Sequence, residues 1–200
     1  MKEKLRSATG AVLMLMIIPT IVGLLACMPV PIGDPERSRV DPTISGVWTT
    51  TETSADLAFY AFEPYDKRTW LLTGMPLAKS GDAAATKVAL YKAWTVKLAG
   101  ERFMTWEPKA MFENAAFEPE VWFVFRVERR DDNTLDLYLV NSDAELFKEV
   151  AETRRAYERV IRKNVKDPSL YSEEPIRMLR LKPEQRELFE DLADEVISFD

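Results

Sequence analysis

The chain has 200 residues, of which 46% are hydrophobic and 30% are charged, and its formal net charge is −6. These values are typical of one globular domain and not of a disordered chain or a multi-span membrane protein. There is no histidine, which excludes Ser-His-Asp and Cys-His catalytic systems and histidine-ligated metal sites. The single cysteine excludes a disulfide within the chain. The negative charge opposes binding to phosphate backbones, so no nucleic-acid partner is expected.

The first 26 residues have the organisation of a secretory signal peptide. Basic residues within positions 1–6 precede an apolar stretch over residues 11–26. That stretch ends on Leu24-Leu25-Ala26-Cys27, which resembles the lipobox of bacterial lipoproteins. The resemblance implies cleavage before Cys27 and attachment of lipid to this cysteine, which would hold the protein at a membrane. The alternative is an uncleaved signal anchor, because residues 11–30 are long enough to span a bilayer.

The segment after the cysteine bears on location and on domain organisation. By resemblance to enteric lipoproteins, Met28 in place of Asp after Cys27 favours the outer membrane, facing the periplasm. Residues 28–43 contain four prolines and no hydrophobic period, which predicts an extended tether. The predicted organisation is therefore a signal peptide over 1–26, a lipidated cysteine with a Pro-rich tether over 27–43, and a folded domain over 44–200.

Short β-rich runs follow between Ile44 and Val140, separated by Gly, Pro, Asp or Asn, as in an antiparallel sheet or barrel. The two clearest runs are joined by a polar turn over residues 129–133, and Leu135, Leu137 and Leu139 mark one buried face. The predicted strands are Gly46–Thr51, Leu57–Phe62, Thr69–Met75, Val88–Leu98, Phe103–Trp106, Val121–Glu128 and Leu135–Val140.

After Val140 the hydrophobic period changes from 2 to about 3.6. Ser142 followed by Glu145 has the pattern of a capping box, which predicts a helix from Ser142 to Lys163. The run 176–181 predicts a further strand, and Pro183 predicts the start of a last helix.

The first predicted strand opens on Gly46-Val47-Trp48. This motif, followed by further strands and then a helix, resembles lipocalin-like (calycin) domains over roughly residues 44–163. In that family the tryptophan closes one end of the barrel. The resemblance implies a mainly β (α+β) fold, an antiparallel lipocalin-like β-barrel or strongly curved sheet with C-terminal helices. Typical lipocalins also carry a Thr-Asp-Tyr motif and a basic residue stacked on the tryptophan, and neither is recognisable in the sequence. A likeness also extends to bacterial lipoproteins without an assigned activity, through the strand, Gly turn and strand over residues 91–104.

Five tryptophans lie in different predicted strands, and their rings could either line an apolar pocket or fill the core. On the run Val88–Leu98, Lys92 shares a face with Trp94. If that face points inward, Lys92 or Arg126 could meet a ligand carboxylate, and the alternative is a side chain that reaches the rim or pairs with a glutamate. The candidate ligand-binding residues are Trp48, Trp70, Lys92, Trp94, Trp122 and Arg126.

Charged residues give no catalytic or metal site in the sequence. The pairs Asp131–Asp132 and Glu173–Glu174 fall in polar turns, whereas acid–base catalysis needs carboxylates held across a cleft. No catalytic residue, metal or cofactor is therefore predicted. The remaining basic cluster, which is interleaved with acidic residues and interpreted as a solvated helix face, consists of Arg154, Arg155, Arg159, Arg162, Lys163 and Lys166.

Three functions are compatible with these observations. The leading hypothesis is a non-enzymatic envelope lipoprotein that binds a small apolar or amphipathic ligand, or lipid, in a β-barrel. The second is a structural or assembly module that docks on another envelope protein through the helix predicted at 142–163. The third is a carboxylate-dependent hydrolase.

Overall fold

The computed structural model describes residues 27–51, 58–76, 88–111 and 121–182. Within them, eight antiparallel strands follow one another round a closed barrel, and the eighth pairs with the first. The predicted fold class, a mainly β antiparallel barrel, is confirmed. The predicted signal peptide and the helix predicted after Pro183 lie outside the described residues. The strands are β1 (Gly46–Thr50), β2 (Ala58–Pro64), β3 (Trp70–Pro76), β4 (Ala89–Leu98), β5 (Glu101–Met111), β6 (Phe123–Arg129), β7 (Thr134–Leu139) and β8 (Ile176–Arg180).

Each strand predicted before Val140 corresponds to an observed strand whose ends differ by a few residues. The largest difference is at β5, where the predicted run Phe103–Trp106 is the centre of an 11-residue strand. β5 is long because it pairs with β4 over its whole length, with a register shift between Leu90 and Tyr91. β8 confirms the strand predicted at 176–181 and closes the barrel between β7 and β1.

Alternate residues of the strands point inward and fill the barrel. In the β6–β7 hairpin, Phe125 lies opposite Leu139 and Val127 lies opposite Leu137, and the Arg130 N–H donates to the carbonyl oxygen of Thr134 at 3.0 Å to close the turn. The predicted alternation of this hairpin is thus correct. The buried residues of the inner core are Ile44, Trp48, Phe62, Trp70, Leu72, Ala93, Met104, Trp106, Phe125, Val127, Leu135, Leu137 and Met178.

A second core lies outside the barrel, where the N-terminal strap (residues 28–44) runs along the outer wall before Ile44 enters the inner core. Met28 and Ile32 are fully buried there. The main chain of Met28 pairs with that of Trp122 through hydrogen bonds of 2.8 and 3.2 Å, and the carbonyl oxygen of Ile32 accepts a 2.9 Å bond from the Trp94 indole. The structure therefore differs from the predicted tether, because the apolar side chains of the strap find an apolar outer wall and its main chain finds partners there.

The helix α1 (Arg154–Asn164) packs against this second core through the buried Tyr157 and Ile161. Its N-cap is Thr153, whose hydroxyl accepts from the N–H of Ala156 at 3.3 Å. The prediction of one helix from residue 142 to 163 is wrong in its first part, where a single 3₁₀ turn (Glu145–Phe147) forms. The chain bends after this turn, so that the rings of Phe147 and Tyr157 stack with their centres 4.8 Å apart. No helix among the described residues has the length and apolar character that a membrane crossing requires.

Candidate functional site

One end of the barrel is closed around Trp48. Its ring is fully buried, and its indole N–H donates to the carbonyl oxygen of Ile44 at 2.8 Å. The guanidinium carbon of Arg180 lies 4.2 Å from the centre of the Trp48 ring, which is cation–π geometry. The same guanidinium donates hydrogen bonds to the carbonyl oxygens of Thr43, Ser45 and Asp132. This end is therefore closed by the Trp48 ring, by the Arg180 guanidinium and by the main-chain carbonyl groups that the guanidinium binds.

Two predicted ligand-binding residues, Trp48 and Trp70, belong to this closed end. Trp70 is also fully buried, and its indole N–H donates to the Ser45 hydroxyl at 3.2 Å. Both rings are fully buried in the inner core. Arg180 is the basic partner of Trp48 that the sequence did not reveal, because only the pairing of β1 with β8 brings the two residues opposite each other.

The other predicted ligand-binding residues, Lys92, Trp94, Trp122 and Arg126, lie on the outer wall. The strap covers Trp94 and Trp122. Lys92 lies between Leu71 and Glu107 of the neighbouring strands, on the same outer face as Trp94. The hypothesis that Lys92 or Arg126 points into the barrel is therefore wrong. For Lys92 the prediction fails because the strap covers the outer face of β4, so that both faces of this strand are apolar.

Arg126 is packed between two tyrosine rings on the outside of β6. Its guanidinium carbon lies 4.3 Å from the centre of the Tyr138 ring and 4.7 Å from that of Tyr171. Its Nη2 is 3.9 Å from a carboxylate oxygen of Glu128, whereas its buried Nε has no hydrogen-bond partner within the described part of the chain. Arg126 thus fastens β6 to β7 and to the segment before β8 through ring contacts.

The other end of the barrel, called the barrel mouth below, is the end from which the β1–β2, β3–β4 and β5–β6 connections leave, and it holds a cluster of aromatic rings around Trp106. The buried Trp106 forms its floor, with ring centres 5.5 Å from Tyr60 and 5.6 Å from Tyr91. The ring of Phe123, the first residue of β6, lies 6.3 Å from that of Tyr91. Tyr60, Tyr91 and Phe123 are only half-buried, in contrast to the fully buried rings of the closed end. These three rings are therefore partly accessible, whereas the rings of the closed end are not.

A glycine makes room for the rings of the barrel mouth. Gly74 lies opposite Tyr60 on one side and Ala89 on the other. A Cβ at this position would lie 3.0 Å from Cε1 of Tyr60 and 3.6 Å from Cε2 of Tyr91. A side chain at position 74 would consequently press on the Tyr60 ring and contact the Tyr91 ring.

The polar groups of the barrel mouth are neutral phenols. Burial raises the pKa of Tyr60, and burial together with the nearby Tyr60 raises the pKa of Tyr91 to about 12. Both therefore stay protonated at neutral pH and can donate or accept a hydrogen bond. The hydroxyl of Tyr60 has no hydrogen-bond partner among the described residues. The Tyr60 hydroxyl is thus an uncharged hydrogen-bonding group at this end of the barrel.

The sequence did not single out Tyr60, Tyr91 or Phe123, and it placed Trp106 only among the five tryptophans. One signal for this site was present in β4, where the small residues Ala89 and Ala93 flank Tyr91. Small residues beside large rings are frequent on the inner face of small barrels. Within the described ranges, no cluster of three or more Asp, Glu or Cys residues is placed to hold a metal ion. No protein-family model matches the chain, and neither a curated protein nor a solved structure shows significant similarity to it.

Proposed function

We propose that the chain is a lipid-anchored, non-enzymatic envelope protein that binds a small apolar or amphipathic ligand, or a lipid, in the barrel mouth. The observation that carries this proposal is the half-buried, uncharged ring of Tyr60, Tyr91 and Phe123 over the floor formed by Trp106. A ligand that buries about 200 Å² of apolar surface against such rings gains roughly 5 kcal/mol from the hydrophobic effect. The Tyr60 hydroxyl can add a hydrogen bond to its polar end.

The closed end supports membership of the lipocalin-like (calycin) class. The Gly46-Val47-Trp48 motif stands at the start of β1, and Trp48 closes the barrel, as the resemblance implies. Arg180 supplies the basic residue that typical lipocalins stack on this tryptophan. The alternative of a docking module would use the charged, exposed face of α1, because the apolar stripe of this helix packs on the barrel wall and on the 3₁₀ turn beside it.

Binding is tested by a titration of the full chain, in neutral detergent, with the fluorescent fatty acid cis-parinaric acid. Gly74→Val is expected to lower the affinity at least tenfold, because its side chain fills the barrel mouth. Energy transfer from tryptophan to the probe is the readout. Thr73→Val, on the outer face of the same strand, is the matched control and should leave the affinity within about twofold. Equal affinities of the wild type and Gly74→Val would contradict binding in the barrel mouth.

The proposed lipid on Cys27 would lie at the rim of the barrel mouth. Met28, the next residue, pairs with Trp122, and Trp122 directly precedes Phe123, which lines the mouth. A lipid at this point would hold the mouth against the bilayer, where an apolar ligand is available. The structure thus favours a domain held close to the membrane over one lifted from it by a free linker.

This arrangement predicts which tryptophan a bilayer reaches. The lipidated full chain, reconstituted in vesicles of phospholipid brominated along its acyl chains, should show partly quenched tryptophan emission, and Trp122→Phe should remove most of the quenched component. Cys27→Ala, which cannot carry the lipid, should stay outside the vesicles with unquenched emission. Membrane binding and quenching that persist in Cys27→Ala would rule out the lipid anchor, and quenching unchanged by Trp122→Phe would rule out the orientation.

A further inference from the structure

An open cleft of about 730 Å³ lies on the outer wall near the closed end of the barrel. Its walls come from the strap, from the end of β4 and the start of β5, and from α1. Seven of its lining residues are arginine or lysine, and three are aspartate or glutamate. This feature, the basic cleft, concentrates positive charge in a chain whose net charge is −6. Its volume falls in the range of small-molecule sites.

The three carboxylates of the basic cleft are already engaged. Asp41 lies 2.6 Å from a guanidinium nitrogen of Arg102. Glu158 accepts from Arg162 at 2.9 Å through one oxygen and from the Gly33 N–H at 3.2 Å through the other. Asp34 lies 3.7 Å from Arg154 and 3.8 Å from Arg37. None of the carboxylates is left to neutralise the remaining cations.

Three cations of the basic cleft have no carboxylate partner among the described residues: Arg39, Lys97 and Arg155. All three are exposed. Arg154 and Arg155 also open α1, whose first turn contains no acidic residue. The positive end of the helix dipole disfavours cations there, so this arrangement lowers the stability of the helix end unless an anion binds beside it.

The walls of the basic cleft are fastened to one another before any ligand binds. Gly33 has a φ of +76°, and a Cβ there would lie 2.8 Å from Cβ of Val96, so a glycine is needed where the strap crosses β4. The carbonyl oxygen of Gly33 accepts from Arg154 at 3.3 Å, and the Ser38 hydroxyl accepts from the Thr95 N–H at 3.0 Å. A site built in advance loses less entropy when it binds a ligand.

We infer that the basic cleft binds a small soluble anion that carries two or more phosphate groups. The planar guanidinium of arginine can donate two parallel hydrogen bonds to phosphate oxygens, and the ammonium group of lysine adds a positive charge on a flexible side chain. A ligand with more than one phosphate group can contact more than one of the three cations that have no carboxylate partner among the described residues. The inference of a soluble source rests on the proposed anchoring, because the cleft lies by the β4–β5 turn and the closed end, whereas Cys27 lies at the barrel mouth.

The test is isothermal titration calorimetry of the full chain, in neutral detergent, with sodium tripolyphosphate. We expect saturable binding that weakens as salt is added. The triple variant Arg39→Gln/Lys97→Gln/Arg155→Gln should bind at least tenfold more weakly. The matched control Arg159→Gln/Lys163→Gln/Lys166→Gln removes the same charge from positions that do not line the cleft, and it should bind within about twofold of the wild type.

Absence of saturable binding at millimolar tripolyphosphate, or equal losses in the two triple variants, would overturn the inference. Phosphatidylglycerol added to the micelles should not compete with tripolyphosphate, and competition would overturn the soluble source in favour of a lipid headgroup. A negative tripolyphosphate titration does not affect the result expected for Gly74→Val, because position 74 lies inside the barrel and not in the basic cleft. The two proposals can therefore fail separately.

Discussion

Replacement of Asp136 with asparagine is expected to lower the free energy of unfolding by about 3 kcal/mol at neutral pH. Asp136 is fully buried on the outer wall. Its carboxylate accepts hydrogen bonds from Arg177 at 2.8 and 3.0 Å and from Arg130 at 2.8 Å. An amide of the same shape loses the charge and cannot accept all of these bonds. Urea unfolding followed by tryptophan fluorescence measures the difference.

The effect of Asp136→Asn has a defined dependence on pH. Hydrogen bonds from Arg177 and then Arg130 hold the pKa of Asp136 below its usual value. A lowered pKa in the folded state means that the carboxylate contributes its full stability above the unfolded pKa, near 4, and loses it as the pH falls through the folded pKa. The difference between the two proteins should be constant above about pH 5 and shrink below about pH 4.

Asp143→Asn is the control for this prediction, because Asp143 is an exposed carboxylate. It should change the free energy of unfolding by less than about 0.5 kcal/mol. Equal losses in Asp136→Asn and Asp143→Asn, or a difference that grows in acid, would show that the buried carboxylate does not hold β7 to β8.

Trp48→Ala is expected to lower the free energy of unfolding by about 3–5 kcal/mol, the range for truncating a large buried ring. The change removes the ring beneath the Arg180 guanidinium and the hydrogen bond to Ile44. It also leaves a cavity at the closed end, which the rigid barrel cannot collapse to fill. Chemical denaturation in urea measures the loss.

A second variant keeps this prediction testable if Trp48→Ala does not fold. Trp48→Phe retains a ring for Arg180 but loses the indole N–H, and it should lose about 1–2 kcal/mol. Tyr65→Ala, at a ring that is 71% exposed, should stay within about 0.5 kcal/mol of the wild type. A loss in Trp48→Ala no greater than that in Tyr65→Ala would contradict the role given to Trp48 at the closed end.

The strands could be predicted because alternation is a local property of the sequence. In the β6–β7 hairpin, Leu135 and Leu137 alternate with polar residues, so that the inner face is unambiguous. In β4 the face that carries Trp94 and Val96 is as apolar as the face that carries Tyr91, because the strap and α1 cover it. Alternation alone cannot tell which of two apolar faces points into a barrel.

The sites depend on contacts between residues that are distant in the chain. Arg180 reaches Trp48 only when β8 closes the barrel. The basic cleft likewise combines the strap with α1, whose arginines look like an ordinary solvated helix face when they are considered alone. The sequence predicts the wrong helix start because Ser142 and Glu145 have the spacing of a capping box, whereas Thr153 makes the observed cap. Tertiary packing decided between the two.

Native mass spectrometry of the full chain, released from detergent micelles after purification from cells, tests binding in the barrel mouth most directly. The wild type and Thr73→Val should carry a bound species of defined added mass, and Gly74→Val should carry little or none. A wild type without added mass, also after incubation with cis-parinaric acid, or the same added mass on Gly74→Val, would contradict the proposed function.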